Sequence, residues 1–172
     1  MATSRKKALR HERVYYINTT PAENTANFVL FGQGTNSLTN DMGATVEEDH
    51  YITDKNGSST RTATAKVQSF NGDMIIGDAA QDYLATKVYA LGTDAETDWI
   101  EVDAYNEPTE RNNLKYYPAR KVTAMINITN DGSGDAGAAL QFEGEIRWQG
   151  DPVEGYFERT GKTFVTELPT QL

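Results

Sequence analysis

Glu47, Glu48, Asp49 and His50 follow one another in the chain, and carboxylates beside an imidazole are the raw material of general acid–base catalysis. Successive side chains on an extended backbone point to opposite faces, however, and the flanking residues are polar turn formers. The run therefore reads as solvated charge. Asp131-Gly132-Ser133-Gly134-Asp135 has the acids and glycines of a calcium loop without its ligand spacing or terminal Glu, so a hairpin tip is expected there. Gly32-Gln33-Gly34 lacks the third glycine of a dinucleotide fingerprint and opens no helix. With no Cys and only His11 and His50, thiolate and three-His metal centres are excluded. No P-loop, nucleophile elbow or HExxH pattern occurs. The residues describe no enzyme, and no cofactor or metal is expected.

Charge is the stronger signal. The 172 residues carry a net −9, yet residues 1–13 hold Arg5, Lys6, Lys7, Arg10 and Arg13 against Glu12 alone, a net of +4. The remainder therefore carries −13. Such a body repels nucleic-acid phosphates, whose binding depends on Lys and Arg. A basic nucleic-acid arm is one reading of residues 1–13; an arm that meets acidic protein surface suits the acidic body better. Apolar residues make up 38% of the chain and mean hydropathy is −0.62. No run approaches the ~18 apolar residues of a membrane span. Behind the basic N-terminus no apolar segment follows, so a secretory signal is not expected, and the lack of Cys suits a reducing cytoplasm.

The elements that must position these charges read mostly with period two. Val14–Asn18, Asn27–Gly32, Thr60–Phe70, Trp99–Tyr105, Lys121–Thr129, Ala139–Gln149, Gly155–Arg159 and Lys162–Glu167 are the expected strands, with a corner at Gly150-Asp151-Pro152. One helix is expected over residues 78–91, with Asp78 as N-cap, an apolar stripe of Ala80, Tyr83, Leu84, Val88 and Leu91, and Gly92 as its stop. Thr35 to Ser59 is polar and turn-rich, either a functional loop or a weak hairpin. Two strands sort cleanly by face. Val122, Ala124, Ile126 and Ile128 oppose Thr123, Met125, Asn127 and Thr129; Leu140, Phe142, Gly144, Ile146 and Trp148 oppose Gln141, Glu143, Glu145 and Arg147. A sheet with one core face and one wet face follows, with its helix on the core side. The fold class expected is mainly β: a β-sandwich or barrel with one flanking α-helix.

The order of features resembles the major tail tube proteins of long, non-contractile-tailed bacteriophages, a family related in fold to the inner tube of contractile injection systems. The likeness rests on Asp78-Ala79-Ala80-Gln81-Asp82-Tyr83-Leu84, on Leu91-Gly92-Thr93-Asp94-Ala95-Glu96-Thr97, and on Gly150-Asp151-Pro152-Val153-Glu154-Gly155-Tyr156-Phe157 ahead of Thr163-Phe164. It spans most of residues 14–167. What it implies is a structural virion protein of the tail, made in the host bacterial cytoplasm, that forms hexameric rings stacked into a hollow tube. Its partners would be further copies of itself, other tail proteins, and DNA in transit without sequence-specific binding. On that reading residues 1–13 form an arm, 14–167 the tube-forming domain, 38–58 a loop gripping the next ring, and 168–172 a tail. Arg5, Lys6, Lys7, Arg10, Arg13, Glu47, Glu48 and Asp49 would make subunit and ring contacts. Gln141, Glu143, Glu145, Thr123, Met125 and Asn127 would line the lumen, although alternation shows only that this face is wet, and it would equally serve as an exterior. A different class, a carbohydrate- or host-surface-binding β-sandwich, would use Tyr105, Tyr116 and Tyr117 as sugar platforms.

Overall fold

A computed structural model describes residues 6–53 and 55–171, so Arg5 and the last residue of the tail lie outside the described residues. The chain is mainly β, as its alternation requires. Strands β1 (Arg13–Asn18), β2 (Phe28–Phe31), β3 (Thr35–Asp41), β6 (Val67–Asp73), β7 (Glu96–Asp103), β9 (Leu114–Ser133) and β10 (Gln141–Glu158) pair antiparallel in the order β2-β1-β7-β9-β10-β6-β3. Short β8 (Thr109–Arg111) adds to β9 and β11 (Thr163–Val165) to β10, giving nine strands. A separate hairpin pairs β4 (Thr45–Asp49) with β5 (Ser58–Ala63).

This sheet cannot be flat. At about 4.8 Å per strand, a flat sheet would hold β2 and β6 about 24 Å apart. Yet Phe31 of β2 meets Phe70 of β6 edge to face, with ring centroids 5.2 Å apart. The sheet therefore curls into a half-barrel around Phe31, Phe70, Trp99, Ile126, Phe142 and Ile146, all buried. Even-numbered residues of β9 from Val122 to Ile128 face this core, while Ala119 and Tyr117, in the opposite phase, join Tyr16, Ile100, Val102 and Phe157 in a second core. The β9–β10 ribbon thus presents apolar residues on opposite faces at its two ends. Between them, at Gly150-Asp151-Pro152, the sequence suggested a corner separating two strands. Instead β10 runs through, with a register shift between Gln149 and Val153 and Gly150 at φ +70°.

Helix α1 (Ala79–Ala85) packs over β2 and β9, sealing the first core with Ala80 and Leu84. Asp78 caps it by accepting from Gln81 N at 2.9 Å. The expected helix to residue 91 is cut short. Thr86 Oγ1 turns back onto Tyr83 O at 2.6 Å, and Lys87, Val88 and Ala90 make i→i−3 bonds, so the chain tightens into successive turns. Leu91 consequently stands exposed, and Gly92 opens a 3₁₀ turn (Gly92–Ala95) rather than stopping a helix.

Of the two readings of the polar segment the structure has the weak hairpin, and the second correction concerns residues 60–70. Leu38–Asp41 belong to β3, an edge strand of the main sheet, and the rest of the expected loop is the β4–β5 hairpin with its tip. Thr60–Phe70 is not one strand. It is shared between β5 and β6, because residues 58–65 offer no apolar face to the core whereas Gln68, Phe70 and Gly72 are buried. Close backbone approach holds β3 on β6: a Cβ on Gly72 would collide with Gly34 O, and Gly34 itself sits at φ +74°. Among the described residues no helix is long and apolar enough to cross a membrane.

Candidate functional site

Three surfaces and one buried cluster concentrate the charged residues. The cluster was not foreseen. On β7, Glu101 and Asp103 share the face of Trp99, and on β9 Arg120 shares the face of Val122. Glu101 is fully buried and accepts from Lys66 Nζ at 2.6 Å, Arg120 Nη1 at 3.0 Å and Gln68 Nε2 at 3.2 Å. Asp103 accepts from Arg13 Nε at 2.7 Å and from Arg120 Nη2. Trp148 Nε1 donates to Gln68 Oε1 at 2.8 Å, and Lys66 Nζ lies 4.0 Å from the Trp148 ring centroid. Burial pushes the Lys66 ammonium below the ordinary lysine range against the pull of Glu101. For Arg13, burial also pulls down, but Glu101, Tyr105 and Asp103 outweigh it and hold the guanidinium above its usual range. Three cations around two carboxylates clamp β1, β7, β9 and the start of β6 together. The signal was in the alternation: three charged residues stand in phase with Trp99 and Val122.

The wet face is as its period indicates. Gln141, Glu143, Glu145, Thr123, Met125 and Asn127 are half-buried or exposed, while Phe142, Gly144, Ile146, Val122, Ala124 and Ile126 are buried. The carboxylates are not equivalent, however. Arg147 donates to Glu145 Oε2 through Nη2 at 2.7 Å and Nε at 2.9 Å, and Asn127 Nδ2 adds a bond at 3.3 Å. These donors, Arg147 foremost, hold Glu145 below the ordinary carboxylate range. Glu143 has no cationic partner among the described residues. Of the two carboxylates on this face, only Glu145 has a cation beside it among the described residues.

The basic arm is divided as well. Arg13 begins β1 and belongs to the buried cluster rather than to a free arm. Lys6 pairs with Glu12 at 2.6 Å across a 3₁₀ turn (Arg10–Glu12). Lys7 is exposed; Arg10 lies over the Tyr15 ring and has no acidic partner among the described residues. Glu47, Glu48 and Asp49 are exposed on the hairpin strand β4. Of the three tyrosines named as sugar platforms, Tyr116 is buried, and guanidinium groups lie over the half-buried Tyr105 (Arg13, 5.6 Å) and Tyr117 (Arg159, 5.8 Å).

No family model matches the chain, and no curated protein matches it in sequence. Its fold does match a solved structure, described as the tail of an empty GTA particle computed with helical refinement and C6 symmetry. The match covers 84% of this chain and 96% of that chain, with a TM-score of 0.53 and 10% sequence identity. At that identity the likeness is one of fold.

Proposed function

We propose that this chain is a structural subunit of a phage-like tail, which associates with copies of itself into rings that stack as a tube. The single observation that carries the reading is the shared fold with a chain from a C6-symmetric tail, matched over nearly its whole length. Three features of the molecule support it. Among the described residues the half-barrel leaves the outer edges of β2 and β3 unpaired, and open edges invite pairing with another chain, which ring closure satisfies. The two edges are unlike, so a contact between them is head-to-tail, the kind that closes as a ring when its rotation divides the full turn. Every residue of the hairpin strands β4 and β5 is exposed within its own subunit, as suits an element meant for a neighbour.

On this reading the ring is hexameric and the protein is a non-enzymatic virion component, made in the host cytoplasm and joined there by other tail proteins. Its wet face, with Gln141, Glu143, Glu145, Thr123, Met125 and Asn127, lines the conduit through which DNA passes. The placement of α1 on the opposite face favours this assignment, since it leaves the wet face an unencumbered sheet. A wall poor in Lys and Arg lets a duplex move without adhering. Negative-stain microscopy of the purified protein tests the reading: rings or tubes of uniform diameter are expected, and a monomer at every concentration and salt overturns it.

A further inference from the structure

The chain contains two Asn-Gly pairs, Asn56-Gly57 and Asn71-Gly72. In such a pair the carboxamide carbon of Asn lies within reach of the next backbone nitrogen, and glycine, lacking Cβ, leaves the approach open. Attack of that nitrogen closes a cyclic imide. The attack needs a backbone free to bring nitrogen and carbon together, and a base to take the N–H proton. The fold treats the two pairs oppositely.

Asn71-Gly72 lies in β6, where Gly72 pairs with Thr35 of β3 on one side and Phe142 of β10 on the other. Gly72 is buried, and Asn71 Oδ1 accepts from Ser37 Oγ at 3.0 Å. A backbone paired on both edges cannot turn its nitrogen onto the preceding side chain. Asn56-Gly57 is exposed in the connection between β4 and β5, beyond the last pair of that hairpin's ladder, Asp49 with Ser58.

The same register supplies the base. One step past Asp49 and Ser58, His50 comes opposite Gly57, and its imidazole closes on the glycine. A Cβ on Gly57 would stand 2.7 Å from His50 Cδ2 and 3.1 Å from Nε2. Imidazole both takes and returns a proton near neutral pH. Of the run at residues 47–50, the carboxylates stay exposed on β4, and the imidazole alone is set against a group that can react.

We propose that Asn56-Gly57 is a self-modification site, at which the chain converts Asn56 to aspartate and isoaspartate with His50 as the base. His50 Nε2 takes the proton of Gly57 N, and that nitrogen forms a bond to Asn56 Cγ. The carboxamide nitrogen then leaves as ammonia, carrying the proton that the imidazolium returns. Water opens the imide at either carbonyl. One route leaves an ordinary Asp; the other sends the main chain through the side chain and lengthens it by a methylene. One water is consumed and one ammonia released, with no change of oxidation state. Either product adds a carboxylate to a hairpin that already exposes Glu47, Glu48 and Asp49. The conversion is a single turnover of the chain on itself and does not depend on how copies assemble.

The test is to incubate the purified full chain at physiological temperature and neutral pH, digest samples with trypsin and follow amide-to-acid conversion by mass spectrometry. Cleavage after Lys55 and Arg61 isolates Asn56, and cleavage after Lys66 and Lys87 reports Asn71 in the same digest. Asn56 should convert roughly tenfold or more faster than Asn71 in the folded chain, and the two should converge in urea. His50→Ala should slow Asn56 by roughly tenfold or more, within the range of a lost general base, and free imidazole should restore part of the rate. In urea the variant and wild type should react alike. Equal rates at Asn56 and Asn71 in the folded chain, or an Asn56 that stays amide, overturn the site. A His50→Ala chain that converts at the full rate, or whose slowing free imidazole does not relieve, overturns the role of His50 as base.

Discussion

Glu101 and Arg120 face one another directly across β7 and β9, and the carboxylate accepts from Arg120 Nη1 over 3.0 Å while wholly buried. A charge in that position is tolerable only because every side of it is answered: Lys66, Gln68 and Arg13 complete the shell. Glu101→Gln keeps the shape and removes the charge, leaving three cations to share Asp103. The expected loss is about 3–5 kcal/mol, the range for breaking a buried pair from one side. Urea unfolding followed by tryptophan fluorescence measures it. Lys66→Met in the same background should recover part of the loss, because it removes the most buried of the orphaned cations.

Phe70→Ala tests the curl of the sheet. Its ring spans the half-barrel to Phe31 and also packs 6.0 Å from Phe142, so truncation leaves a cavity where the two sides of the sheet meet. About 3–5 kcal/mol should be lost. A loss below about 1 kcal/mol would mean that the two sides are not held together at this point.

A pH titration isolates the wet-face pair. Glu145 has its folded pKa below its unfolded one, with Arg147 the main cause and Asn127 the second. Its contribution is therefore whole above the ordinary carboxylate range and is lost as pH falls through the lower, folded value. Arg147→Met should cost roughly 0.2–1 kcal/mol at pH 7, as partly exposed pairs do. Repeated at pH 3 and below, the comparison should show the difference shrinking toward zero. A difference independent of pH would assign the effect to packing of the Arg147 stem.

Glu143 is the carboxylate to change if the wet face lines a conduit, since Glu145 is already answered by Arg147. Glu143→Lys should leave stability within about 0.5 kcal/mol, the usual range for surface substitutions. Assembled particles should then retain polyanions in a nuclease-protection assay, and Glu145→Lys should act more weakly. Equal behaviour of wild type and Glu143→Lys would place this face on the exterior.

Hydrogen exchange distinguishes the free hairpin from the docked one. Amides of residues 45–49 and 58–63 should exchange quickly in the monomer, because nothing covers them, and at least a hundredfold more slowly after assembly. Equal rates in both states would remove the hairpin from the contact.

Legibility in the sequence followed how strictly each segment alternates. Lys121–Thr129 and residues 141–149 alternate strictly, and there strand, core side and wet side were readable; Leu140, expected on the core face, instead precedes β10 and is exposed. Thr60–Phe70 has Thr, Arg, Lys and small residues in both phases, so nothing local marks the point where the chain leaves the hairpin for the sheet. The helix was overextended because Val88 and Leu91 continue the apolar stripe, and the back-bonding of Thr86 that ends it leaves no mark in hydrophobic spacing. The wet-face residues were found as a set. The inequality of Glu143 and Glu145 was not, because an i, i+2 pair on one strand face becomes an ion pair only through the rotamer of Arg147. Glu101 and Asp103 were missed although their phase places them with Trp99, because the cations that answer them come from distant positions in the chain, Arg13, Lys66 and Arg120.

The hairpin is tethered to the sheet by residues 42–44 and 64–66 alone, closed by a single backbone bond from Ala65 N to Met42 O at 3.1 Å, with Gly43 at φ +51°. If copies stack through the hairpin, the joint between layers is far more compliant than the layers themselves, whose nine strands are laced by eight antiparallel pairings and the Glu101 clamp. Bending of a long filament would be taken up as small rotations about these tethers, leaving the bore round. Curvature and bore diameter then become separable properties: lengthening residues 42–44 alters how sharply the filament bends, and only changes to the sheet alter its width.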